Sequence, residues 1–268
     1  MKKVYITGAS GFIGSEIKKE IEKYNEEYSI KFGKIFDIGN EKFDILVNCA
    51  SSTPENTVKN SDIAISNIQM ADYICKLIEK NKINKIINLS SMSIYGKNAE
   101  GVINENSKFS EPTIYGSSKY IVEQMIIEAC SNKSISNYHL RLPGIVGKNA
   151  KGIFLSNILK NISNNKAINI QNENSLFNNI LHIEQLVSFI ILLLQKEGSK
   201  VINLASLKPI KIKQIVSYIY KMKKIQPNIK IIKSQRPSFI IDINEAINYG
   251  FIPITTEESI KNYLKENK

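Results

Sequence analysis

A doubly wound parallel α/β sheet, followed by a small C-terminal α/β lid, is the fold class that three observations predict. Residues 4–6 form a β-branched and aromatic run that breaks into Gly8, Gly11 and Gly14, and then into a segment of helical spacing over 15–24. Apolar runs typical of strands covered on both faces recur at 43–48 and 85–89. Between and after them lie long stretches of helical periodicity, 57–81 and 113–132. Strand, glycine turn and helix together form the arrangement in which a pyrophosphate sits on a helix N-terminus. One glycine opens the turn, one lets the backbone approach the phosphates, and one lets helix and strand pack closely.

The remaining elements follow in order. Residues 28–32 and 34–36 read as short strands around Gly33. Asp37-Ile38 leads through Gly39-Asn40 into the strand over 43–48, which ends in Cys49-Ala50-Ser51. Pro54 marks a loop, and the helix over 57–81 is expected to bury Ile63, Ile65, Ile68, Ala71, Ile74 and Ile78. The strand over 85–89 stops at Ser90-Ser91, so Gly8, Ala50 and Ser91, each just past a strand end, are expected to line one crevice. A Gly/Asn/Lys/Glu-rich stretch over 95–112 reads as a functional loop. The helix over 113–132 carries Tyr115 and Lys119 near its start, and a strand over 136–142 ends at Pro143-Gly144. Beyond Gly147 the alternation is irregular: helices over 153–162, 183–196, 212–222 and 256–267, with strands over 167–170, 176–181, 201–203 and 229–232.

Composition narrows the class. With 43% hydrophobic and 23% charged residues in 268, the chain is suited to a globular core and not to disorder. The net charge of +11 comes from scattered lysines without an aromatic-interleaved stripe, which argues against nucleic-acid binding but suits an anionic substrate. Only Arg141 and Arg236 are arginines, which makes each a candidate for a forked contact that lysine supplies poorly. Cys49, Cys75 and Cys130 lack metal-ligand spacing and read as reduced thiols; no metal site is expected. No secretory segment or membrane span is read, so a cytoplasmic location is expected.

A Tyr with Lys four residues later places both side chains on one helix face, where the ammonium is expected to lower the phenol's pKa. Among 12 tyrosines in a lysine-rich chain, chance supplies such pairs, and two occur: Tyr115/Lys119 and Tyr220/Lys224. The second lies in a basic segment and reads as a solvated helix face. The first opens a helix that follows Ser90-Ser91-Met92-Ser93-Ile94-Tyr95-Gly96.

That order, together with 7–14, resembles the extended short-chain dehydrogenase/reductases, the NAD-dependent epimerase/dehydratase type that modifies nucleotide sugars, over essentially the whole chain. The resemblance implies a Rossmann-like domain over 1–147, with later segments crossing back into it, and a smaller substrate-binding region over 148–268. It implies cofactor contacts from Gly8, Ser10, Gly11, Phe12, Ile13 and Gly14, and from Asp37 and Ile38, the Asp-Ile pair that in the family follows the third strand and touches adenine. Cys49, Ala50 and Ser51 match a strand end that faces the cofactor, and Leu142 and Gly144 lie in a strand and turn beside nicotinamide and sugar. Tyr115 exchanges the hydroxyl proton, Lys119 holds the cofactor ribose, and Ser91, three residues before the aliphatic-Tyr-Gly triplet, binds the carbonyl oxygen. Ser91, Ser93, Asn178 and Arg236 fall at substrate-binding positions, Arg236 toward the diphosphate, while His182 reads as a structural hydrogen-bonding residue.

Departures from the family pattern limit the reading. Met92-Ser93 stands where 4,6-dehydratases carry Asp-Glu, which argues against dehydration. No acid closes the second strand, whereas Lys31 and Lys34 lie near that point, which favours NADP over NAD. The chain's length favours an NDP-4-keto-6-deoxyhexose reductase, with an NDP-sugar epimerase holding tightly bound NAD as the alternative. A redox-sensing regulator without turnover is the non-enzymatic alternative, disfavoured by the intact Ser91, Tyr115 and Lys119. The resemblance also implies a homodimer paired through the helices over 57–81 and 113–132, and a role in surface polysaccharide synthesis.

Overall fold

The computed structural model describes residues 1–54, 59–233 and 237–267, which divide into two compact units. The first comprises Met1–Gly96, Phe109–Arg141 and Val187–Ile202; the second comprises Lys97–Lys108, Leu142–Leu186 and Asn203–Lys268. Residues 97–108 and 142–147 thus group with the second unit, and 187–202 groups with the first.

The first unit is built on a six-stranded parallel sheet. Its strands are β1 (Lys2–Thr7), β2 (Tyr28–Gly33), β3 (Phe43–Asn48), β4 (Ile83–Ser91), β5 (Ser136–Leu142) and β6 (Ser199–Asn203), in the spatial order β6-β5-β4-β3-β1-β2. The helices are α1 (Phe12–Ile21), α2 (Asn60–Glu79), α3 (Ile114–Ser131) and α4 (Ile183–Gln195), the last of which belongs to this unit from Val187 onward. Val4 of β1 stands opposite Ile30 of β2 on one side and Ile45 of β3 on the other. The chain thus runs outward from β1 in one direction and then in the other, which makes the carboxyl end of β1 a switch point where ligands bind. Tyr5, Phe43, Leu46 and Ile86 of the sheet pack with Ala71, Ile74 and Ile78 of α2 and Val122 and Ile126 of α3 in one apolar cluster.

A polar ladder crosses the interior of this sheet. Thr7 Oγ1 donates to Asn48 Oδ1 (2.7 Å), Asn48 Nδ2 to Asn88 Oδ1 (2.8 Å), and Asn88 Nδ2 meets His139 Nδ1 (3.2 Å). All four side chains are buried, and burial pushes the His139 pKa down to about 4, so the ring is neutral near pH 7. Thr7 Oγ1 also accepts the Ala50 N–H (3.1 Å), which ties the ends of β1 and β3 together beside the glycine turn.

Three local expectations are corrected. Residues 34–36 do not form a strand; Ile35–Ile38 is a 3₁₀ turn, in which the Asp37 carboxylate accepts the Lys34 N–H (2.8 Å) and so competes with sheet pairing. Asp37-Ile38 therefore follows the second strand, not a third. On α2 the buried face is Ile63, Asn67, Ala71, Ile74, Leu77 and Ile78, whereas Ile65 is 54% exposed. Two residues beyond Ile63 is more than half a turn around the helix, which puts Ile65 on the opposite face. The expected start of this helix, 57–58, lies outside the described residues.

The second unit consists of short strand pairs and helices. Gly101–Ile103 pairs in parallel with Phe239–Ile241, Gly144–Val146 with Ile180–His182, and Ile168–Ile170 with Ile229–Ile231. Leu176–Phe177 pairs antiparallel with Ile210–Lys211. Helices Phe154–Ser163, Ile212–Lys223, Asn244–Asn248 and Thr256–Glu266 complete it; the last opens on a Thr255/Glu258 capping box. Tyr220 is not on a solvated face as expected: it is buried and donates to the Asn228 carbonyl (2.9 Å), while Lys224 ends the helix in the left-handed conformation.

Candidate functional site

The glycine turn at the end of β1 has the geometry its sequence implies. Gly8 adopts φ +67°, and a Cβ there would lie 2.9 Å from the Ala50 nitrogen. A Cβ on Gly14 would lie 2.2 Å from the Gly8 carbonyl oxygen, so α1 starts in direct backbone contact with the turn. Gly11 donates to the Gly8 carbonyl (3.0 Å) and caps α1 without a side chain. No acidic residue occupies the first turn of α1, so its free N–H groups face the turn with their partial positive charge uncompensated. Gly14→Ala must displace backbone. It is expected to destabilise the protein by about 1–3 kcal/mol and to weaken dinucleotide binding at least tenfold. Urea unfolding and fluorescence titration with NADH read the two effects separately.

A pocket of about 640 Å³ opens from this turn. Gly8, Ala9, Ser10 and Ala50 line one end, and Phe32, Gly33, Lys34, Phe36 and Asp37 line the end of β2 and the turn after it. Lys18 of α1 completes the wall, its ammonium 3.7 Å from the centre of the Phe32 ring. The glycine cradle, the open helix N-terminus and the mainly apolar walls fit the adenosine diphosphate half of a dinucleotide. Lys18, Phe32, Lys34, Phe36 and Met70 are pocket residues that sequence reasoning missed or left unassigned as contacts. Lys31 is instead paired with Glu41 on the surface.

Other expected cofactor residues are placed differently. Phe12 and Ile13 form the half-buried first turn of α1, outside the pocket lining. Asp37 lines the pocket, but its carboxylate is held by the Lys34 N–H; Ile38 points into the apolar cluster and is corrected as a side-chain contact. Leu142 ends β5 and Gly144 pairs with Ile180, both within the second unit.

A second group of polar side chains gathers at the carboxyl ends of β3 and β4. Thr113 caps α3 by accepting the Gly116 N–H (3.1 Å), and α3 then presents Tyr115 and Lys119 one turn apart. The Ser51 and Ser91 side chains lie near enough to the Tyr115 phenol to favour its ionised form. Ser91 Oγ also accepts the Ser93 N–H and donates to Ser93 Oγ (both 3.1 Å). Lys119 donates to the Leu89 carbonyl (2.7 Å) and reaches Ser51 Oγ at 3.5 Å. The structure thus brings together Ser91, Tyr115, Lys119 and Ser51. Neighbouring Ser90 is buried away from them, its hydroxyl without a partner.

The electrostatics correct one expectation. The Tyr115 pKa is raised, chiefly by burial; the Ser51 and Ser91 side chains pull against that rise. The Lys119 ammonium is directed at the Leu89 carbonyl and Ser51, so it does not lower the phenol as its position on the helix suggested. Burial itself pushes Lys119 down to about 8, opposed by Glu123 and Cys49. Burial pushes the Cys49 thiol up to about 12, which keeps it protonated near pH 7.

The remaining expected substrate contacts separate. Asn178 is corrected to a structural brace: its amide donates to the Ser206 (3.2 Å) and Ile241 (2.8 Å) carbonyls and accepts the Ile241 N–H (2.9 Å). Arg236 lies outside the described residues. His182 is buried, with Nε2 3.2 Å from Glu266 and Nδ1 3.8 Å from Glu184, so the two carboxylates meet different ring nitrogens.

Comparison with known proteins adds three kinds of match. The model of the NAD dependent epimerase/dehydratase family matches residues 4–205. A curated relative, the N-acetyl-α-D-glucosaminyl-diphospho-ditrans,octacis-undecaprenol 4-epimerase of Escherichia coli O157:H7, is 26% identical over 184 residues, covering 61% of this chain and 54% of the relative. The chain thus spans about half the length of that relative. Among solved structures, the UDP-glucuronic acid 4-epimerase of Bacillus cereus in complex with NAD matches with a TM-score of 0.83 at 18% identity, covering 99% of this chain and all of that one. The Bordetella bronchiseptica enzyme WbmG, in complex with NAD and UDP, matches with a TM-score of 0.84 at 16% identity, over 99% and 94% of the two chains. At these identities the likeness establishes the fold.

Proposed function

The chain belongs to the NAD dependent epimerase/dehydratase family, an extended short-chain dehydrogenase/reductase enzyme, and on that premise we propose that it oxidises and reduces C4 of a nucleotide-diphosphate sugar. The observation that carries this reading is the meeting of the Ser91, Tyr115 and Ser51 hydroxyls with the Lys119 ammonium at the carboxyl ends of the strands. A nicotinamide cofactor supplies the hydride when bound. Tyr115 gives or takes the hydroxyl proton, Ser91 holds the sugar oxygen, and Lys119 holds the cofactor ribose. The Met92-Ser93 pair offers no acid and base for water loss, so the reading excludes dehydration.

Epimerisation at C4 is the first form of the reaction, supported by the 4-epimerases among the relatives. Reduction of an NDP-4-keto-6-deoxyhexose is the second, and one observation favours it. The adenosine end of the pocket presents Lys18 and Lys34, while its one lining carboxylate, Asp37, is held by a backbone N–H. That charge favours the 2′-phosphate of NADP, the cofactor a reductase would exchange with solution. Leu142, Gly144, Ser93 and Arg236 are carried as contacts of nicotinamide, sugar and diphosphate.

The deciding experiment denatures the purified protein, identifies the released nucleotide, and then follows absorbance at 340 nm with UDP-sugars and NDP-4-keto-6-deoxy sugars. Stoichiometric bound NAD with interconversion of UDP-sugar epimers, and no net absorbance change, establishes the epimerase. Stoichiometric consumption of NADPH by a keto sugar establishes the reductase. Neither result with any sugar overturns the nucleotide-sugar assignment.

We place the enzyme in the cytoplasm as a homodimer. Ile65 on α2 and Ile114 and Ile121 on α3 are exposed and support pairing through these helices. No helix among the described residues is long and apolar enough to cross a membrane.

A further inference from the structure

Arg141 of β5 carries the forked contact anticipated for an arginine, but its partner is inside the protein. Nε donates to both Glu123 oxygens (3.1 and 3.3 Å) and Nη2 to Oε2 (2.8 Å), while Nη1 donates to the Tyr95 hydroxyl (2.7 Å). Arg141 is 4% exposed and Glu123 fully buried. Each partner belongs to a segment that bears reacting groups. Glu123 lies one turn beyond Lys119 and two beyond Tyr115 on the same face of α3. Tyr95 closes the short turn Met92–Tyr95, which begins directly after Ser91. The Tyr95 ring packs edge-on against Phe109, and Phe109 against Tyr120 of α3, so the same two segments are joined a second time.

A buried ion pair is weak evidence for stability, since well-packed apolar residues often replace one without loss. A guanidinium fork does what apolar packing cannot: it fixes distance and angle between two partners at once. We propose that Arg141, Glu123 and Tyr95 form a positioning clamp that sets the Ser91 hydroxyl against the Tyr115 phenol. The clamp rests on the reading of Ser91, Tyr115 and Lys119 as the reacting groups. Its carboxylate also opposes loss of the Lys119 charge; the other titratable or charged groups coupled to Lys119 are Cys49 after β3 and His139 on β5, with the Leu89 carbonyl and Ser51 as its hydrogen-bond partners.

Tyr95→Phe removes one hydroxyl and keeps the ring. Its kcat is expected to fall about 10- to 100-fold, with KM for sugar and affinity for cofactor within twofold of wild type. An unchanged kcat in the folded variant overturns the clamp, as does a fall confined to KM. Glu123→Gln supplies a readout that needs no sugar, the pH dependence of NADH affinity. Loss of the opposing carboxylate is expected to move the midpoint set by Lys119 downward by about one pH unit, and an unmoved midpoint overturns the clamp. Wild-type protein that binds NADH but turns over no sugar overturns the substrate reading alone, and the pH midpoint then decides the clamp.

Discussion

Tyr115→Phe is expected to lower turnover by about 10²- to 10⁴-fold, the range for loss of a general acid or base, while cofactor affinity stays within twofold. The substitution keeps the ring and removes only the hydroxyl that meets Ser51 and Ser91, so its effect on stability is limited to about 1 kcal/mol. Because burial raises the phenol's pKa, Tyr115 carries its proton at pH 7 and can donate to a carbonyl oxygen without prior rearrangement. In the oxidising direction Tyr115 must first give up its own proton to solvent so that the phenolate can accept the sugar hydroxyl proton, and the neighbouring Ser51 and Ser91 side chains favour that phenolate. Wild-type oxidation is therefore expected to quicken with rising pH more steeply than reduction. Single-turnover kinetics in both directions from pH 6 to 10, with NADH titration as the control, measure these effects. Turnover within threefold of wild type would remove Tyr115 from the chemistry.

The parts of this site that were legible in the sequence are those fixed by backbone and by local spacing. Gly8 and Gly14 announced themselves because a Cβ would press to 2.9 Å from the Ala50 nitrogen at one and 2.2 Å from the Gly8 carbonyl oxygen at the other. Tyr115 and Lys119 share a helix face by periodicity alone, and the buried runs of β1, β3 and β4 follow from their β-branched content.

What was not legible depends on partners distant in the chain. The strand Gly101–Ile103 lay in a stretch read as a loop, and it exists through pairing with Phe239–Ile241, more than a hundred residues later. Asn178 looked available to a sugar until its amide was found bound to Ser206 and Ile241. The pKa of Tyr115 is set chiefly by burial, and the Lys119 ammonium points instead at the Leu89 carbonyl, a rotamer matter to which helical spacing is blind. Arg141 was recognisable as a forked contact from the rarity of arginine, but its partners Glu123 and Tyr95 emerge only when β5, α3 and the turn after β4 are packed together. Lys18 carried no signal apart from the other lysines; its place over Phe32 marks it as part of the pocket wall.

Lys119→Met is expected to abolish a pH dependence of stability as well as to impair the site. The folded pKa of Lys119 is about 8 against 10.5 for the unfolded group, and burial is the main cause. Below pH 8 both states hold the proton, and folding carries the full penalty of burying the ammonium. Between pH 8 and 10.5 the unfolded chain binds more protons than the native protein, so stability rises with pH, by about 3 kcal/mol across the window. Above 10.5 the contribution is level. In Lys119→Met this rise disappears. At pH 7 the relief of the buried charge opposes the loss of the Leu89 hydrogen bond, worth about 1–3 kcal/mol when its acceptor is left unpaired, so net stability there changes little. Urea midpoints from pH 7 to 10.5 for wild type and variant, taken as a difference, isolate the Lys119 contribution from the other lysines and tyrosines. A difference that stays flat across that window would show that Lys119 is not held against its own charge in the folded protein. With the expected slope present, the loss of NADH affinity in the same variant would mark the ammonium as a group kept at a sacrifice of stability because the cofactor ribose requires it.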